Sequence, residues 1–460
     1  MKDMNGAAAP DVATARAAAR SSFGAQDAPR LIAGLKARDN TTNWRHLAFV
    51  WAIIVVTISV GLWLESEIVA NGHSYWWLLP LFVTTTLIIG ASQHQLGGAV
   101  HEGVHGLLFE NTRLNELASD WLAAFPIYTT SYQYRVQHLA HHQFVNDPER
   151  DPDIAQLKHS DHWLDFPVTH YEMVAILLKQ LWPPNLIRYT LGRAKFGAIG
   201  QQHNPYVDPD APGDSRPVTV GILFAVATPF IVAGLHRYPG GVTPLIVLCA
   251  AFAATIFYFA RLPEERFPQS RLQPVISHRV TTIGRMTFLF ALYATFAVYD
   301  WAHASTFAWD HYGIYWTLAL FTTFPLFMMI RQWVQHGNAD RGRYTNTRVF
   351  LFGPLIRYSV LPWGMDYHLP HHTIASVPHY RLKELHEVLM LNPKYAEQHV
   401  EVEGVFGDGD ATGRRPTILS MLTQPRGTDA ETFVDDAALD GTNVRDRAKI
   451  AEEARKSVRA

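Results

Sequence analysis

The sequence predicts an all-α integral membrane protein: a transmembrane helical bundle of about six spans, with a cytoplasmic helical cap that carries a histidine-rich site. Three observations predict it. Apolar residues are gathered into long blocks that recur in pairs, Lys and Arg are segregated into the segments between those pairs, and histidines cluster at HxxxH and HxxHH spacings in the same polar segments.

The totals narrow the field first. The chain has 460 residues and a formal charge of -2, so no bulk electrostatic attraction to nucleic acid is implied. Its one cysteine, Cys249, lies inside an apolar block. That count rules out an intrachain disulfide and any cysteine-ligated zinc or iron–sulfur centre. Histidine is the unusual component, at 23 residues.

Residues 1–40 are rich in Ala, Arg, Asp and Gly and read as a mobile cytoplasmic tail. They contain no apolar core of the roughly 7–15 residues that a cleaved secretory signal requires. A membrane catalytic domain is expected over 41–398. Its apolar blocks fall at 47–64 and 75–91, then 218–235 and 242–260, then 286–303 and 312–330. Each approaches or meets the roughly 20 residues that cross a ~30 Å hydrocarbon core. The block at 286–303 is the weakest, because Asp300 and His303 lie near its end.

Charge sets the orientation. Connectors 65–74 and 304–311 carry no Lys or Arg, and 236–241 carries only Arg237. The opposite side holds Lys36, Arg38 and Arg45 before the first span, and Arg261, Arg266, Arg271, Arg279 and Arg285 between the fourth and fifth. Excess Lys and Arg marks the cytoplasmic face. Every histidine cluster and both termini therefore belong to the cytoplasm, with a bacterial inner membrane as the expected location.

The polar stretch 101–216 is too long for an unstructured loop. Within it, 171–182 is mainly apolar and ends at Pro183-Pro184, with Lys179, Arg188, Arg193 and Lys195 nearby. It reads either as an amphipathic helix lying in the interface or as a helix packed on the site. A further helix is expected over 382–391. Beyond 399 the composition turns to Gly, Asp, Thr and Arg, and 399–460 reads as a weakly ordered cytoplasmic tail with a short helix at its end.

Nine histidines make up the candidate site: His101, His105, His138, His141, His142, His336, His368, His371 and His372. Residues three and four apart share a helix face, so HxxxH and HxxHH each aim imidazoles at one point. His94, His159, His162, His170, His203 and His379 lack that patterning and read as structural. Zinc usually takes four ligands, three of them from protein in a catalytic site. Nine imidazoles overfill one such ion and exceed the eight places of two. Two ions of higher coordination with open positions fit better, and a di-iron centre fits best, although imidazole also admits copper or nickel. The rival reading is His101-Glu102-x-x-His105 as the H-E-x-x-H of a zinc metalloprotease. It leaves both HxxHH clusters without a role, and Glu102 lies about 100° around the helix from His101. A metal carrier is a second rival, but the spans are nearly free of the ionisable residues that would line a path.

These motifs resemble those of the membrane-bound fatty acid desaturase and hydroxylase superfamily, with its three histidine boxes. H-E-G-V-H at 101–105 resembles the first box. H-L-A-H-H-Q-F-V-N-D-P-E-R-D-P-D at 138–153 is similar to the second with its acidic continuation. Y-H-L-P-H-H-T-I-A-S-V-P-H-Y-R-L at 367–382 is similar to the third. His336 sits where stearoyl-type members place Asn-x-x-x-His, with Gln332 in place of the asparagine that holds a water on one metal. Six spans stand where four is usual, and the extra pair is expected to shape a lid or substrate channel.

The resemblance implies two iron ions that activate dioxygen and remove hydrogen from an unactivated C–H bond of an acyl lipid or acyl carrier. Introduction of a double bond is the first expectation and hydroxylation the second. No G-x-G-x-x-G turn is present, so no bound flavin or nicotinamide is expected. A separate electron donor, a ferredoxin or similar carrier with its reductase, is implied. Asp147, Asp151, Asp153 and Asp366, with Gln332, are candidates to hold the ligating imidazoles in place. The plain alternative for these carboxylates is loop capping, as at Asn146-Asp147-Pro148.

Overall fold

Apolar length alone selects the main elements. The computed structural model describes residues 28–199, 204–208, 214–237, 241–407, 409, 415–424 and 432–433. His203, most of 1–40 and the terminal stretch expected to hold a short helix lie outside the described residues. A short helix, α1 (Ala28–Leu35), precedes the first long one. Among the described residues, six helices are long and apolar enough to cross a membrane. These are α2 (Thr42–Ala70), α3 (Tyr75–Val104, including its leading turn), and, after the polar segment, four more. At 29 and 30 residues, α2 and α3 outlast a bilayer, so each carries its last turns beyond the hydrocarbon.

The described part of the polar segment 105–215 folds mainly into short helices. They are α4 (Thr112–Ser119), α5 (Ser131–Gln143), α6 (Pro152–His159), α7 (His170–Gln180) and α8 (Pro183–Ile199). Helix α7 turns one narrow face inward and the rest outward. Only Met173 and Gln180 of it are buried, while Tyr171, Val174 and Leu178 stand exposed, as does Trp182 just beyond it. An apolar face on a short helix with a neighbouring Lys suits the bilayer interface better than a packed core.

Four further spans follow: α9 (Arg216–His236), α10 (Thr243–Arg261), α11 (His278–Ala302) and α12 (Phe307–His336). Helix α9 contains a π-helical turn at Leu223–Ala227 and α12 one at Tyr312–Thr317. The backbone of α12 breaks at Thr322 (φ -127°), and Thr323 there donates its hydroxyl to the Thr86 carbonyl. The contact needs a glycine opposite: a Cβ on Gly90 would lie 1.9 Å from Thr323 Oγ1. Asp300, which made α11 the weakest prediction, is satisfied locally. Its carboxylate accepts from the Ala308 and Trp309 amides and the Ser305 hydroxyl, so the charge stabilises the turn into α12.

The three short connectors meet at one end of the bundle. Arg237 pairs with Asp310 at 2.8 Å, and His311 lies 3.2 Å from Glu65. All the histidine segments lie in the layers at the other end. There β1 (Val349–Phe350), α13 (Pro354–Ser359), α14 (His368–Thr373), α15 (Leu382–Leu389) and α16 (Pro393–Gln398) complete the cap. Strand β2 (Glu401–Val402) pairs in parallel with β1, Val349 opposite Glu401. Helix α17 (Ile418–Thr423) is held from two sides: the Leu422 carbonyl accepts from the Val168 amide, and the Met421 carbonyl accepts from the Asn338 side chain. The described part of the stretch after residue 398 is thus strapped to the body.

Candidate metal centre

Four helices point their C-terminal ends at one place. His101 occupies the last turn of α3 and His105 caps it; His138, His141 and His142 end α5; His336 ends α12; His368, His371 and His372 fill α14. A helix C-terminus carries partial negative charge, so four such ends together favour a cation.

Buried arginines fix those ends. Arg135 donates to the Val104 and Gly103 carbonyls of α3 and pairs with Glu116 at 2.5 Å, and Asn115 gives Gly103 a second donor. The first box needs its glycine for the same approach, since a Cβ on Gly103 would lie 2.1 Å from Ser119 Oγ. Arg348, fully buried, donates to the Val334, Gln335 and Gly337 carbonyls at the end of α12. Its own carbonyl accepts from Leu369, which locks α14 to α12.

The nine histidines fall into two groups. His101, His105, His138, His142 and His371 form one; His141, His336, His368 and His372 form the other. Within each, the nearest ring nitrogens all lie within 4.8 Å of one another. Helix geometry explains the split. In each HxxHH box the first and last residues, four apart, differ by about 40° around the axis, while the middle one is displaced to the other side. So His138 and His142 go to one group and His141 to the other; in the third box, His368 and His372 go together and His371 crosses. Each HxxHH box therefore serves both groups.

The nitrogen pattern fits a metal better than a hydrogen-bonded cluster. Nε2 atoms face Nε2 atoms: His105 and His138 at 2.9 Å, His138 and His142 at 3.0 Å, His142 and His371 at 3.0 Å. The second group repeats this, His336 with His368 at 2.9 Å and His368 with His372 at 3.1 Å. Neither ring nitrogen of His101 has a hydrogen-bond partner. Buried polar atoms are rarely left so. Each facing pair can share at most one proton, and a cation would satisfy the converging lone pairs together.

Electrostatics agree. Burial lowers His138, His142, His368, His371 and His372 well below the ordinary histidine range, and pushes His105 down to about 3, so these rings stay neutral and able to coordinate. His141 differs. Burial lowers it, but the Asp151 and Asp153 carboxylates outweigh that and leave it above its usual value. The field at His141 favours positive charge.

Of the residues predicted to hold the imidazoles, Asp151 does so directly. Its two oxygens accept from His141 Nδ1–H at 3.0 and 3.1 Å, which leaves Nε2 facing the site. The same carboxylate caps α6 and takes the Asn146 amide. Asp153 contributes its charge near His141. Gln332 accepts from the Tyr189 hydroxyl at 2.6 Å. Asp147 and Asp366 are not brought to a ring. Asp147 caps the 149–150 turn and pairs with Arg150 and Arg341, and Asp366 pairs with Arg357 at 2.9 Å. The Asn346 carbonyl, 3.3 Å from His336 Nδ1, holds a ring and carries no sequence signal, because any residue offers that atom.

The histidines set aside as structural have other partners. His94 Nδ1 meets the Ser359 carbonyl, His162 the Ser160 hydroxyl, His170 the Thr423 hydroxyl and His379 the Asn43 side chain. His159 lies 3.4 Å from Lys195. Glu102 is buried and accepts from the backbone N–H of His379 at 3.0 Å, turned toward that segment as its helical angle implies. That use does not suit the general base of a zinc protease.

Comparison with known sequences places these observations in a family. The sequence model of the fatty acid desaturase family matches residues 74–282 and 265–402. The chain is similar to dihydrorhizobitoxine desaturase of Bradyrhizobium elkanii, 40% identical over 80 residues, which are 17% of this chain and 22% of that protein. It is also similar to Delta(5) fatty acid desaturase fat-4 of Caenorhabditis elegans, 33% identical over 73 residues, 16% of each. The chain thus matches about a fifth of the length of these curated relatives.

Proposed function

The chain belongs to the fatty acid desaturase family, and from that premise we propose that it is a dioxygen-dependent, di-iron desaturase of an acyl chain in the membrane. The observation that carries this is the convergence of nine histidines into a group of five and a group of four. One iron would be held by His101, His105, His138, His142 and His371, the other by His141, His336, His368 and His372. Bound there, the two irons would supply the redox chemistry that activates dioxygen against an unactivated C–H bond.

The balance sets what the rest of the protein must do. Two hydrogens leave adjacent carbons, dioxygen is reduced to two waters, and two electrons with two protons come from outside. The chain's own residues bind, orient and shield. Asp151 and the Asn346 carbonyl fix two ring tautomers. Burial keeps bulk water away and the rings of His105, His138, His142, His368, His371 and His372 neutral. The apolar spans present the acyl chain, and a separate carrier such as a ferredoxin with its reductase supplies electrons. The Lys and Arg distribution supports a cytoplasmic position for this layer, for both termini and for the donor. A membrane catalytic domain over 41–398 between two tails accords with the family match, which stops at residue 402.

Both relatives are named as desaturases, one of dihydrorhizobitoxine and one of a fatty acid, and that shared word favours desaturation over hydroxylation. The test is mass spectrometry of lipids from cells making the full chain with a reductant, alongside the metal content of the purified protein. A new double bond and two irons per chain are expected. An added oxygen atom would turn the reading to a hydroxylase; a single zinc with peptide cleavage would end it.

A further inference from the structure

A cavity of about 640 Å³ runs between α3, α5, α8 and the last four spans. That is within the range of ligand-binding pockets. Most of its wall is apolar, with Phe230, Phe259, Met286 and Leu320 among the lining residues. The wall also carries three arginines: Arg193 lies over the Tyr134 ring, Arg285 donates to the Tyr128 carbonyl, and the third is without either kind of contact. Arg331, on α12 five residues before His336, lines the cavity and is only 7% exposed. Its Nε has no hydrogen-bond partner, and no hydrogen bond or ion pair joins its guanidinium to any described residue. Asp153 feels its field but lies beyond ion-pair distance, and that carboxylate also serves His141.

An unpaired guanidinium in such a place is costly and calls for a partner. Elsewhere in the cap the buried arginines are matched, Arg135 by Glu116 and Arg348 by three carbonyls. Four more orphan atoms line the same cavity: two donors, Arg285 Nε and Trp309 Nε1, and two acceptors. His94 Nδ1–H donates to the Ser359 carbonyl, which leaves Nε2 a bare acceptor, and Gln137 donates its amide to the Phe196 carbonyl, which leaves Oε1 without a partner. Arg331 is near enough to His94 to act on it electrostatically. Together they ask for anionic oxygens on Arg331, with a hydroxyl or ammonium hydrogen beside them.

We propose that this cavity binds an amphiphile with an anionic oxo-acid head, that Arg331 pairs with that head, and that the apolar tail lies along the last four spans. The proposal rests on the oxidative reading above only in taking the bound amphiphile to be the substrate. A guanidinium presents parallel N–H groups that match carboxylate and phosphate alike.

The experiment is equilibrium binding of radiolabelled hexadecanoate to the iron-loaded full chain in lipid nanodiscs. Competition by methyl hexadecanoate and by hexadecyl phosphate is measured, and iron content is read in parallel. Hexadecanoate should outcompete its uncharged ester. Arg331→Gln should weaken hexadecanoate roughly 10- to 150-fold, the value of a hydrogen bond to a charged group, with the ester changed less than about threefold. Arg331→Lys should recover the larger part of that affinity, and both variants should keep their iron. Stronger competition by the phosphate assigns the head to a phospholipid source, and stronger competition by the acid to a free fatty acid. Equal loss of acid and ester, no loss of either, or a loss that appears only in Arg285→Gln would overturn the assignment. A protein that binds acid through Arg331 but holds no iron would instead overturn the oxidative reading alone.

Discussion

His386, His399 and Glu401 bring their donor atoms as close together as either half of the nine-histidine centre, within 4.8 Å. The two regions differ in what else those atoms touch. His386 Nδ1 meets the Tyr395 hydroxyl at 2.8 Å and its Nε2 lies 3.3 Å from Glu401, while His399 Nδ1 meets the Tyr395 carbonyl. Arg415 takes the other oxygen of Glu401. Charges and protons there are already matched, so the cluster ties β2 to α15 and α16. In the nine-histidine centre ring nitrogens face ring nitrogens, and both atoms of His101 are orphaned. Proximity of ligand atoms is common to both; unsatisfied lone pairs belong to one. A metal site is recognised by the second property.

The contrast is broken most directly by removing a ring. His141→Ala or His371→Ala should abolish turnover and lower bound iron from two toward one per chain, read by elemental analysis and product formation. Retention of both irons in either variant would show that the ligand sets are wrongly drawn. Next comes Asp151→Asn, which frees His141 to turn. Metal affinity or activity should fall about 10- to 100-fold, as for other carboxylates that orient metal-binding histidines. Chelator competition measures it.

Acid sharpens the comparison in the metal-free protein. His105, His138, His142, His368, His371 and His372 are lowered in the folded state, His105 to about 3 against 6.5 in an unfolded chain, while His141 is raised. Below pH 6.5 the unfolded chain binds more protons, so folded stability declines as pH falls from there toward 3. Melting temperature of the iron-free protein should drop steadily from pH 7 to pH 5, and loading with iron should reduce the drop. A flat profile would mean that the rings are already charged. The smallest effect is expected at the other cluster: His386→Ala should leave iron content unchanged and cost about 1–3 kcal/mol of stability through the partners left unpaired. Thermal melts together with elemental analysis decide it.

Much of this was legible in the residues. Apolar length marked all six spans, because hydrocarbon thickness imposes a count that sequence displays directly. Periodicity marked the nine histidines for the same reason: helix geometry makes three- and four-residue spacing a statement about direction. The division into five and four followed from angles that the sequence contains, yet it depends on how four separate helices approach, which no local pattern carries. Asp147 and Asp151 lie in one acidic run, and which of them reaches a ring was decided by the turn at 146–151. Arg135, Arg348 and Arg331 look alike as isolated arginines in sequence. Only packing reveals that two are matched by carbonyls or a carboxylate and one lines an apolar cavity without a hydrogen-bond partner among the described residues. Strand β2 and helix α17 were missed because two and six residues are too few for periodicity to register.

The order of the boxes along the chain has a consequence for how such a protein comes into being. Synthesis proceeds from the amino end. With the ligand sets proposed above, four of the five rings around the first iron emerge before α9, whereas three of the four around the second emerge only with the end of α12 and with α14. The first position can therefore capture an ion while the ribosome is still making the later spans, and the second must wait until the whole membrane portion has been inserted. A cell short of iron would on this account accumulate molecules loaded at the first position alone, their second position open to copper or zinc, which bind imidazole at least as well.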